Sequence, residues 1–77
     1  MDIYKESINL AENLNKYGHQ VISQEIFDAI NYSSTGTEAL MRIRFVLKDF
    51  LGRDADSNFQ LLEGVKNVLN NINAMID

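Results

Sequence analysis

The chain has no cysteine and no proline among its 77 residues. Without cysteine, no disulfide, thiolate nucleophile or zinc–thiolate site can brace the fold or do chemistry. The absence fits an intracellular home. Without proline, helices must end by other means, and no proline-rich ligand motif is present. Histidine occurs once, at His19. No stretch approaches the roughly 18 continuous apolar residues of a membrane span. The opening "MDIYKESINL" lacks the basic lead and hydrophobic run of a secretory signal. A cytoplasmic protein without a membrane role is the expectation.

Basic residues are also scarce. Seven stand against eleven acidic ones, a formal charge of -4. Up to Glu38, the only bases against Asp2, Glu6, Glu12, Glu25, Asp28 and Glu38 are Lys5 and Lys16. The second half is balanced. An acidic amino-terminal half argues against nucleic-acid binding, which normally shows a basic footprint. It suits a basic protein partner.

What the chain does have is apolar content, 45% of residues, patterned at helical spacing. The first piece runs from about Asp2 to Tyr17, with Tyr4, Ile8, Ala11 and Leu14 on one stripe. Gly18 follows as its stop, since glycine takes the left-handed conformation without strain. The second begins near Gln20 or at a capping Ser23, with Ile22, Ile26 and Ala29 or Ile30 giving the spacing. A short strand over "HQVIS" is discounted, because no partner strand is evident.

The third piece opens in "NYSSTGTEAL", Asn31 to Leu40, the longest run of small polar residues. Thr35 and Glu38 have the spacing of a capping box, in which Glu38 would reach back to the Thr35 amide. Leu40, Ile43, Leu47 and Phe50 or Leu51 form the inner face behind it, widened by Met41, Phe45 and Val46. Arg42, Lys48 and Asp49 mark the wet side, and Arg44 must reach around the flank or touch another helix. Gly52 is read as the stop. The fourth piece, capped by Asp56 or by Ser57 with Gln60, carries Phe59, Leu62, Val65, Leu69, Ile72 and Ile76. Leu61, Val68 and Met75 run beside that line. Gly64 interrupts it, through drift or the close approach of a neighbouring helix. Asn67, Asn70, Asn71 and Asn73 are poor helix formers and should fray the end. The whole reads as one all-α domain over residues 1–77, a small antiparallel bundle of about four helices.

Sites of chemistry find little support. "SSTGTE" has one glycine and no lysine and follows a helix, so it is not a nucleotide phosphate loop. One histidine with scattered carboxylates forms no recognisable triad. "DADSN" at Asp54–Asn58 alternates oxygen ligands, but an EF-hand counted from Asp54 would need glycine where Phe59 stands and glutamate where Val65 stands. No catalytic residue, metal ligand or cofactor site is assigned, and the expectation is that the chain is not an enzyme. A DNA-reading helix could offer Thr37, Arg42, Arg44 and Lys48, yet its apolar share is high and the preceding helix is acidic. No helix has the strongly basic polar face of a membrane-surface helix.

The segment "GHQVISQEIFDAINYSSTGTEALMRIRFVLKDFL" resembles a pattern found in small uncharacterised all-helical bacterial proteins, some of them immunity-protein-like. The resemblance covers roughly residues 10 to 51. It rests on Gly18, the Ile26–Ile30 turn, Ser33 to Glu38, and Leu40, Met41, Arg44 and Leu47. It implies a helical fold and no catalytic residues. The leading expectation is a non-catalytic protein-binding module, of immunity type, that occludes a basic toxin domain. The alternatives are a homo-oligomeric structural or regulatory module, such as a homodimer, and a small nucleic-acid-binding regulator. Candidate protein-binding residues are Glu25 and Asp28 on the acidic face, with Phe45 and Val68 on an apolar patch expected across Leu40–Leu51 and Phe59–Ile76.

Overall fold

A computed structural model describes residues 2–53 and 58–76. Its first helix, α1 (Ile3–Lys16), begins where the Asp2 carboxylate accepts from the amides of Tyr4 and Lys5, at 3.0 and 3.2 Å. Those amides would otherwise have no partner in the first turn. The helix stops at Gly18, whose φ is +94°. There the His19 amide donates to the Leu14 carbonyl at 2.8 Å, and the Gly18 amide to that of Asn15 at 3.1 Å. This bond pair is a Schellman ending, and its left-handed residue is one that a Cβ disfavours.

The same turn launches α2 (Gln20–Tyr32). The His19 carbonyl already accepts from the Ser23 amide at 3.0 Å. Ser23 is therefore not the cap. It lies a turn inside the helix, on the buried face. The segment "HQVIS" is helical from Gln20 onward.

Thr35 opens α3 (Gly36–Arg53), its Oγ1 accepting from the Glu38 amide at 3.1 Å. The Glu38 carboxylate returns to the Ser34 amide, not to that of Thr35. The box thus closes one residue earlier than the spacing implies. Gly52 does not end the helix. Its φ is not positive, and the chain stays helical through Arg53, where Arg53 meets Asp49 at 2.9 Å. That i,i+4 pair forms only if the helix continues past the glycine.

The last helix, α4 (Phe59–Ile76), is capped by Asn58, whose Oδ1 accepts from the Leu61 amide at 3.1 Å. The expected caps Asp56 and Ser57 lie outside the described residues. The helix continues through its asparagines, two of which reach across to neighbours. Asn71 donates to Glu6 on α1, and Asn73 accepts from Arg44 on α3, each at 3.4 Å.

The described residues form a four-helix bundle with no strand. Each helix packs on the two beside it: α1 on α2 and α4, and α3 on α2 and α4. Three-residue turns at 17–19 and 33–35 reverse the chain, so sequence neighbours run antiparallel. Leu14, Ile26, Ile43, Leu47, Val65 and Ile72 are fully enclosed at the centre. On α4 the buried line is Leu61, Val65, Val68 and Ile72. Leu62, Leu69 and Ile76 are only partly covered, and Phe59 is 73% exposed. The helix is thus rotated toward the line expected to lie beside the core. Both lines are apolar, and only packing against α1 and α3 chooses between them. No helix among the described residues is long and apolar enough to cross a membrane.

Candidate protein-docking groove

Because α2 and α3 run antiparallel, the middle of one faces the middle of the other. On α3, Met41 and Phe45 stand one turn apart and point outward, 51% and 73% exposed. The inner side of the same helix is already filled by Leu40, Ile43 and Leu47. Met41, Phe45 and Val46, with Glu25 from α2 and the capped turn at Thr35 and Glu38, border an open groove of about 680 Å³. A smaller hollow of about 230 Å³ continues along the same seam, between Val21 and Ile22 of α2 and Phe50 of α3. Glu25 borders both.

The charges here are unequally committed. Arg42 donates from Nη1 to Ser33 Oγ at 3.1 Å. The Glu38 carboxylate holds the Ser34 amide, and Asp49 pairs with Arg53. Glu25 is exposed and has no hydrogen-bond or ion-pair partner among the described residues. The groove therefore combines an apolar floor with one uncommitted carboxylate at its midpoint.

Of the four residues singled out from sequence, the fold brings two together, Glu25 and Phe45. Asp28 lies one turn further along α2, half-buried, and accepts from Gln24 Nε2 at 3.0 Å. It does not border the groove. Val68 belongs to the core, 5% exposed. Its assignment to a surface patch is corrected. Val21, Met41 and Phe45 leave exposed apolar surface along the α2–α3 seam, and Phe59 and Met75 are exposed on α4. Sequence reading placed Met41, Phe45 and Val46 on a widened inner face; Val46 is buried there, whereas Met41 and Phe45 are exposed. Their signal was the unusual width of the α3 stripe, more apolar positions than one inward face can hold.

The other candidate sites resolve locally. The hydroxyls of Ser33 and Thr35 serve Arg42 and the α3 cap. His19 stands edge-on to the Phe50 ring, centroids 4.9 Å apart, at the junction of α1 and α2. No group of three or more histidine, cysteine, aspartate or glutamate side chains that could hold a metal occurs among the described residues. Most of "DADSN", Asp54 to Ser57, lies outside them. No protein-family model, no curated protein and no solved structure matches the chain.

Proposed function

We propose that this chain is a non-catalytic protein-binding module that docks a partner along the α2–α3 groove, and that it acts in the manner of an immunity protein, occluding a toxin. The observation that carries the reading is Phe45, an aromatic ring left 73% exposed beside a partly exposed methionine and a ready-made hollow. A contiguous apolar surface with a polar rim is the usual mark of an interaction site, and aromatic anchors dominate binding energy at such sites. The acidic amino-terminal half supplies long-range attraction for a basic partner. The mechanism is steric cover, with no bond made or broken, and it operates in the cytoplasm, where such a toxin would act.

Growth rescue tests this directly. Co-expressed with the product of the adjacent gene, the wild-type chain should restore growth, and Phe45→Asp should not, while keeping its helical circular dichroism. A harmless neighbour product, or full protection by Phe45→Asp, would sink the reading.

The same exposed pair, Met41 and Phe45, also fits self-association, the second reading. Light scattering across protein concentrations separates the two, since a strict monomer removes the homo-oligomer. A nucleic-acid regulator draws less support. Arg42, Arg44 and Arg53 of α3 are engaged with Ser33, Asn73 and Asp49.

A further inference from the structure

We infer that the occupant of the α2–α3 groove is an amphipathic helix of a partner protein, set so that a lysine or arginine on its flank meets Glu25. The inference rests on the docking reading above and adds the chemistry of the partner.

Shape is the first argument. The two hollows meet at Glu25 and follow one helix–helix seam, from the Thr35 turn to the Phe50 turn. At 1.5 Å per residue, the stretch of α3 from Glu38 to Phe50 is about 18 Å long, or roughly three turns of a docked helix. A seam between two helices receives the ridge of a third, with anchors at i, i+3 or i+4, and i+7. Strand addition, the other common mode, needs a sheet edge, and the described residues contain no strand.

Charge is the second argument, and it favours a cationic partner helix over a second copy of this chain. Asp49 is paired with Arg53, Glu38 and Arg42 are held by the Ser34 amide and the Ser33 hydroxyl, and Glu25 has no partner among the described residues at the midpoint. The α2 wall contributes Glu25 as its one carboxylate, and α2 carries no lysine or arginine. Two copies meeting across it would oppose carboxylates, a costly arrangement at an interface. A cationic flank on the incoming helix satisfies Glu25 and leaves the Met41–Phe45 floor to the apolar anchors.

Three synthetic helices of about 16 residues, hydrocarbon-stapled to hold the helix, provide the probe. All share one leucine face, and their flanks carry lysine, glutamine or glutamate. Titrated into the isotope-labelled protein, the lysine helix should bind tightest and shift the amides of Val21, Glu25, Met41 and Phe45. Glu25→Gln should weaken it about tenfold, and Glu25→Lys should reverse the order in favour of the glutamate helix. Added salt should shrink the differences. Equal binding of lysine and glutamate helices, or an order unmoved by Glu25→Lys, overturns the inference. So does binding that maps away from Met41 and Phe45, or failure of all three helices to bind. Dimerisation of the free protein with shifts on those same residues overturns it in favour of a second copy. The docking reading is judged separately, because the growth assay with Phe45→Asp does not depend on the partner being helical or cationic.

Discussion

The hydroxyl of Tyr4 stands so close to Gly36 that a Cβ built on the glycine would lie 2.5 Å from the phenolic oxygen and 3.8 Å from Cζ. The contact ties the first turn of α1 to the first turn of α3, and it depends on one oxygen atom. Gly36→Ala should cost about 1 kcal/mol, the low end for overpacking, because the end of the tyrosine ring can shift. In a Tyr4→Phe background the clash disappears, and the same change should be neutral or slightly stabilising, since alanine favours the helix. A double-mutant cycle by chemical denaturation measures the coupling. Equal effects in both backgrounds would mean that Tyr4 does not pack against Gly36.

The capped turn before α3 gives a second expectation. Thr35→Ala removes the acceptor for the Glu38 amide and should lower stability by roughly 0.5–2 kcal/mol. Glu38→Ala should cost less, since its carboxylate serves one exposed amide, that of Ser34. Urea midpoints at unchanged slope provide the comparison. A silent Thr35→Ala would remove the cap from the account of how α3 begins.

Leu47 and Phe45 sit two positions apart on α3 and face opposite ways. Leu47 is fully enclosed, so Leu47→Ala should cost about 2–5 kcal/mol through lost burial and a cavity. That is a large share of what so small a domain has. Phe45→Ala should stay within about 0.5 kcal/mol, as surface changes do. Thermal unfolding of the two variants side by side would show a comparable loss for Phe45 if the ring were packed instead of exposed.

Gly64 faces Leu10 across the α1–α4 seam, and a Cβ there would meet Leu10 Cδ1 at 3.6 Å, an ordinary contact. The helices do not need a glycine at this point. Gly64→Ala should therefore stabilise the protein by about 0.5–1 kcal/mol, the helix-propensity difference, with some added contact. A lowered melting temperature would show that α1 and α4 approach more closely than this.

Much of the architecture is legible without coordinates because it depends on groups a turn or two apart. The stop at Gly18, the cap at Thr35 and the inward line Leu40–Ile43–Leu47 all follow from local spacing and match the structure. Misreadings occur where two local answers compete. Ser23 had the chemistry of a cap, but the Schellman turn before it had already started the helix. Gly52 had the chemistry of a stop, but the helix runs on to the Asp49–Arg53 pair.

By itself, then, the sequence determined that the chain is helical, where α1 ends, how α3 begins, and that its first half is acidic. Those properties reside in single turns and in net charge. Only the tertiary structure decided that Val68 is core and Phe45 is surface, since both lie on apolar stripes wider than one buried face. The rotation of each helix is set by its two neighbours, not by its own spacing. It also decided that Glu25 and Phe45, on separate helices, border one groove, because α2 and α3 pack antiparallel with their middles in register.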